Sequence, residues 1–167
     1  RMLLNDGDLV HVTSRRGSEV FPVKISEDIA NSQAFIAMHW GPEFISGTAG
    51  KKPGRGVNGL TCSAIDPISS QPELKHAAVK ILPADLPWQL IAFGLFPKNQ
   101  AVSIQNALRQ QLSHFDAAHC VLFGREQDSD LIGVSFKAAH HQDPSIENTN
   151  KTVQAVESVM TLSLIHI

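Results

Sequence analysis

The side chains best equipped for chemistry follow one another between residues 38 and 75. Met38-His39-Trp40 comes first, then Asn58-Gly59-Leu60-Thr61, Asp66-Pro67 and Gln71-Pro72-Glu73-Leu74-Lys75. Trp40 offers a flat aromatic face on which a base or a pterin could stack. Asn58 carries both donors and an acceptor, so it can read the edge of a heterocycle. Lys75 supplies a point charge for a phosphate or a ring carbonyl. A plain structural role fits the same residues: Asn58 capping a turn, Trp40 filling the mouth of a barrel, Lys75 facing water. Gly and Pro are too frequent here for a helix, which leaves a long connection of the kind that commonly binds something.

Other candidates are weaker. Lys51-Lys52-Pro53-Gly54-Arg55-Gly56 combines charge with residues that let backbone N–H groups approach an anion, but lacks the order of a P-loop. His114, His119 and the pair His140-His141 invite a metal reading. Adjacent histidines on a strand point apart, however, and no HExxH is present, so these read as surface or capping residues. There is no GxSxG elbow, and neither Cys62 nor Cys120 occupies an evident electropositive helix start. No catalytic residue and no metal ligand is therefore assigned.

Composition bounds the rest. The 167 residues suit one domain, or one with a smaller appendage, and 43% hydrophobic content is enough for a core. A net charge of -2 gives no footprint for nucleic acid or an anionic membrane, and no apolar run approaches membrane-spanning length. The widely separated cysteines form no CxxC pair, and a reduced, cytoplasmic setting is the default. Arg1 is not a start residue, and residues 162–167 (LSLIHI) read as a non-native tail.

These residues need elements to position them. Asn5-Asp6-Gly7-Asp8 is a turn leading into a strand at residues 9–13, and Arg15-Arg16-Gly17-Ser18 reverses the chain into a second at residues 20–25. Pro22 puts that strand at an edge or a bulge. A helical turn within residues 26–33, a third strand at residues 34–38 and a fourth at residues 78–82 follow. Residues 83–97 read as a linker that becomes strand-like from Trp88 to Phe93. After it the period changes: a helix over residues 102–115, strands at residues 120–123 and 131–136, and a closing helix over residues 148–160 with Val153, Val156 and Met160 on one face.

The ordered set Gly7-Asp8, Ser14-Arg15-Arg16-Gly17, Met38-His39-Trp40, Asn58-x-Leu60-Thr61, Asp66-Pro67-x-Ser69 and Pro72-Glu73-Leu74-Lys75 resembles the C-terminal domain of the molybdopterin oxidoreductases that use molybdopterin guanine dinucleotide. His39-Trp40 and the QPELK form look most like the catalytic subunit of assimilatory nitrate reductase. The resemblance covers residues 3 to 82. It implies a chain that is mainly β with an α+β appendage: a partial, N-terminally truncated double-psi β-barrel over residues 1–82, a linker at 83–97, and a small α+β unit over 98–161. It also implies that Asn58, Lys75, His39 and Trp40 contact the cofactor, that Met38 and His39 face the substrate funnel, and that Arg15 and Arg16 support the barrel hairpin. The parent would be a cytoplasmic oxidoreductase of nitrate assimilation that holds molybdenum on this cofactor and a 4Fe–4S cluster elsewhere. Its partners would be the remaining domains of the same enzyme, nitrate and a redox protein, with no nucleic acid and no membrane. The cluster cysteines and the molybdenum ligand of that family are not in these 167 residues.

Overall fold

The computed structural model describes residues 3–42, 45–46, 56–72, 76–124, 130–143 and 145–162. In chain order the strands are β1 (Leu9–Thr13), β2 (Ser18–Pro22), β3 (Ile45–Ser46), β4 (Lys80–Pro83), β5 (Trp88–Pro97), β6 (Ala117–Phe123) and β7 (Leu131–His140). The helices are α1 (Lys98–Arg109) and α2 (Glu147–Leu162), and short 3-10 turns lie at Val57–Gly59 and Leu112–His114. The architecture is mainly β.

The first sheet is antiparallel, in the order β2-β1-β4. Its alternation is plain in β1, where Val10 and Val12 point into a small core with Phe21, Ile45, Val57 and Leu60. The β1–β2 reversal is held by the Ser14 N–H donating to the Gly17 carbonyl at 2.9 Å and by the Thr13 and Ser18 hydroxyls at 2.7 Å. The strand expected at residues 20–25 stops at Pro22, on the sheet's edge, as a residue without an N–H requires. Beyond it, the Asn5-Asp6-Gly7-Asp8 turn takes over: Gly7 N–H donates to the Val23 carbonyl at 2.7 Å and Ile25 N–H to Asp6 Oδ1 at 2.7 Å.

Two expectations are corrected here. Residues 34–38 are not a strand: no neighbour offers them a ladder, Phe35 is 77% exposed, and only Ile36 reaches the first core. Strand propensity without a partner strand does not suffice. Residues 83–97 are mostly strand rather than linker, because β5 pairs along its whole length with β7, from Trp88↔His140 to Pro97↔Leu131. Among the described residues, the first sheet stays open and does not close into a barrel.

The second sheet runs β3-β6-β7-β5, all antiparallel. α1 covers one face because Ala101, Ile104 and Leu108 recur at helical spacing. α2 joins it through Val156, with Val159 and Met160 alongside. Phe96, Phe115, Phe136, Leu108, Leu112, Val134 and Cys120 fill the space between, all essentially inaccessible. The expected strand–helix–strand–strand order is found. Its outer strand, β3, comes from the long connection of the first unit, with Ile45 opposite His119. The two parts therefore interlock.

Candidate functional site

Two glycines hold the long connection against the first sheet. A Cβ on Gly17 would lie 2.9 Å from the Gly59 carbonyl oxygen, so the hairpin accepts the Val57–Gly59 turn only because this side chain is missing. Gly56 has φ +63, and a Cβ there would meet the Trp40 carbonyl oxygen at 2.5 Å. Val57 N–H donates to that same carbonyl at 3.1 Å, and Ile45 N–H donates to the Gly41 carbonyl at 3.1 Å. Trp40 is thus fixed by its backbone between β3 and the turn that carries Asn58.

The cleft that results lies between the two sheets. One concavity of about 310 Å³ is bordered by Leu9, Val20, Pro22 and Trp40 on one side and by Ile45, Ile91, Ala117, His119, Lys137 and Ala139 on the other. A second, of about 290 Å³, shares Pro22, Trp40, Ile45 and His119 and adds His39 and Val121. Register explains the floor. Ile45, His119, Lys137 and Ile91 stand opposite one another across β3, β6, β7 and β5, so all four side chains point away from the helices. The neighbouring row, Ala118, Ala138 and Leu90, points into the helix-covered core.

This floor is cationic where it meets the aromatic wall. Burial, with the Lys137 charge beside it, lowers His119 below the ordinary histidine value, so the ring is neutral at neutral pH. The Lys137 ammonium borders the same concavity as Trp40, a residue 40% exposed. A flat apolar ring and a phosphate or carbonyl oxygen are the ligand features such a pair can hold.

The residues singled out by sequence separate into three groups. His39 and Trp40 line the cleft, and Met38 lies beside them, 42% exposed. Asn58 is exposed on the 3-10 turn that the backbone ties to Trp40 but does not line either concavity. Lys75 lies outside the described residues, as do Lys51, Lys52 and Arg55 of the basic cluster. Arg15 and Arg16 are exposed at the β1–β2 reversal.

Asp66-Pro67-x-Ser69 is a structural turn. Asp66 Oδ1 accepts from Ser69 N–H at 2.7 Å, Ser69 Oγ at 2.9 Å and Ile68 N–H at 3.0 Å. These bonds, those from Ser69 foremost, lower the carboxyl below its ordinary value. Cys120 is packed in the core, where burial pushes the thiol up to about 11. Such a thiol is no nucleophile at neutral pH.

Sequence reasoning missed His119 and Lys137 as cleft residues. By sequence alone His119 reads only as a surface or capping histidine. Lys137 follows a strand read as ending at Phe136, whereas β7 runs on to His140. The signal that could have found them is cross-strand register, which one sequence does not display.

The described residues fit part of a pterin dinucleotide. They offer a stacking face, a lysine and an exposed amide, and the concavities have room for a fragment of such a ligand, not the whole of it. Comparison with known proteins agrees. Residues 1–78 match the molydopterin dinucleotide binding domain. A nitrate reductase of Synechocystis sp. is 43% identical over 70 residues, which is 42% of this chain and 9% of that protein. The assimilatory nitrate reductase catalytic subunit of Bacillus subtilis is 32% identical over 80 residues, 48% of this chain and 10% of that protein. The F420-dependent formate dehydrogenase subunit alpha of Methanocaldococcus jannaschii is 37% identical over 78 residues, 47% of this chain and 10% of that protein. The chain thus spans about a tenth of the length of these curated relatives, and no solved structure matches it. Residues 1–78 belong to the molydopterin dinucleotide binding domain family.

Proposed function

We propose that this chain is the cofactor-binding C-terminal part of a molybdenum nitrate reductase whose whole form reduces nitrate to nitrite. The observation that carries this reading is the family match of residues 1–78, which falls on the segment that builds the Trp40 wall of the cleft. The cofactor, molybdopterin guanine dinucleotide, supplies the redox chemistry when bound. This chain's residues supply binding and electrostatics. Trp40 and His39 form the wall, Asn58 and Lys75 read and neutralise the nucleotide end, and Met38 and His39 face the substrate path. The first sheet is then one portion of a double-psi β-barrel completed by other domains of the same cytoplasmic enzyme. A 4Fe–4S cluster and a redox partner protein belong to that larger assembly.

The open half of the second sheet suits this arrangement. Phe93 (76% exposed), Leu95, Val121 and Phe123 continue the face that β1 and β2 already cover at Ala117 and Ala139. Apolar surface of that kind marks an interaction site.

The test is a chimera in which the matched segment of the Synechocystis sp. relative is replaced by residues 1–78. It should retain guanine nucleotide and reduce nitrate with a dye donor, while an Asn58→Ala, Lys75→Ala double variant loses nucleotide. Equal nucleotide content in the chimera and the double variant would refute the site. The isolated 167-residue chain should reduce no nitrate.

The match to a formate dehydrogenase keeps a second substrate class in play. His39 and Trp40 bear that choice, and formate oxidation without nitrate reduction by the chimera would decide for it. A cofactor-free barrel that binds protein requires closure within residues 1–82. The open first sheet favours the fragment reading over it.

A further inference from the structure

A cluster of ligand-type side chains lies outside the cleft, where β6 begins and β7 ends. Asp116 immediately precedes β6, His140 is the last residue of β7, and His141 follows in a bend. Alternation along a strand would send adjacent histidines to opposite faces, but β7 ends between them. Their rings stack instead, with centroids 4.6 Å apart and planes 16° from parallel. Both Nδ1 atoms face one carboxylate oxygen: Asp116 Oδ2 is 2.5 Å from His141 Nδ1 and 3.8 Å from His140 Nδ1. The His141 N–H also donates to Oδ2, at 2.8 Å.

We propose that Asp116, His140 and His141 form a binding site for a divalent cation of the zinc class, independent of the cofactor cleft. One donor atom from each residue lies within 4.8 Å of the others. Two imidazoles and a carboxylate suit Zn²⁺, Co²⁺ or Ni²⁺ rather than Mg²⁺ or Ca²⁺. Around a tetrahedral zinc the donors stand roughly 3.3 Å apart, given metal–ligand lengths of about 2.0–2.2 Å. The separations of 2.5 and 3.8 Å bracket that value, and the three donors all lie within 4.8 Å, so small side-chain shifts complete the site.

The surroundings allow those shifts on one side and resist them on the other. The His141 side chain is 57% exposed and can swing, leaving the fourth position to water. Asp116 and His140 are only 12% exposed, and His140 is wedged edge-on against Phe115. Binding requires Gln142 N–H to give up its 2.9 Å bond to His140 Nδ1. Protons compete with a metal ion for imidazole and carboxylate donors, so uptake releases protons and weakens in acid.

The experiment is titration of the purified full chain with Zn²⁺, followed by calorimetry and by the imidazole Cε1–H resonances. One equivalent should bind with proton release, shift the His140 and His141 resonances alone, and raise the melting temperature. His141→Ala, at an exposed position, should fold normally, weaken Zn²⁺ binding at least tenfold and abolish the thermal shift. A His76→Gln, His114→Gln control should bind as the unaltered chain does. Co²⁺ should give the intense visible absorption of a four-coordinate ion. Absence of stoichiometric uptake by the folded chain, or unchanged affinity in His141→Ala, would overturn the proposal and leave the trio a hydrogen-bonded corner.

Discussion

The two sheets of this protein are built from similar residues but stabilised by different means. The second has two helices on one face and a core of Phe96, Phe115 and Phe136 that excludes water almost completely. Among the described residues, the first is covered by no α-helix. Its core is three valines, one Phe, one Leu and one Ile, and one of those, Ile45, lies on a strand of the other sheet. Where the apolar core is small, backbone fit must hold the connection: Gly17 against Gly59, and Gly56 against Trp40. The cleft lies at the seam between the two sheets.

The largest effect that would break this contrast is at Phe136, which is wholly buried. Phe136→Ala should cost about 3–5 kcal/mol, read as the shift in urea midpoint, by removing packing that no neighbour can replace. A loss below about 1 kcal/mol would show that the second sheet is not the stable partner. Next is Gly56→Ala, which combines a left-handed φ with the contact to the Trp40 carbonyl. It should cost about 1–3 kcal/mol and red-shift Trp40 emission as the wall loosens, whereas an unchanged spectrum would mean the turn can move without the tryptophan.

A pH experiment sharpens the seam itself. The folded pKa of His119 lies below its ordinary value of 6.5, so the unfolded chain takes up the proton first. Its contribution to stability is complete above that value and is lost as the pH falls from there towards the folded pKa. His119→Gln should flatten this part of the stability profile, and a profile with the same slope would remove His119 as the cause. The smallest effect belongs to the uncovered part of the same sheet face. Phe93→Asp, at a position 76% exposed, should change stability by less than about 0.5 kcal/mol. A larger loss would mean this face is already covered within the chain.

Much of the second unit was legible in the sequence. α2 and strands β6 and β7 follow from a period change that apolar residues make plain, because one face of each element must be buried. So does α1, though the helix expected over residues 102–115 spans Lys98–Arg109. The hairpin of β1 and β2 was legible for the same reason, with Pro22 correctly marking an edge. Residues 34–38 misled, since β-branched and aromatic residues favour a strand only where another strand is present to pair. The expected linker failed for the converse reason: a partner, β7, was available along all ten residues of β5.

Sequence by itself determined the family of residues 1–78 and the position of Trp40 within an ordered set of polar and turn-forming residues. Such motifs are local, and their identity survives without coordinates. Only the tertiary structure decided what Trp40 faces. His119 and Lys137 reach the cleft through cross-strand register, and His140 and His141 converge on Asp116 because a strand stops between them. Register and strand termination depend on which segments pair across the fold, and pairing between distant segments is set by the free energy of the whole chain.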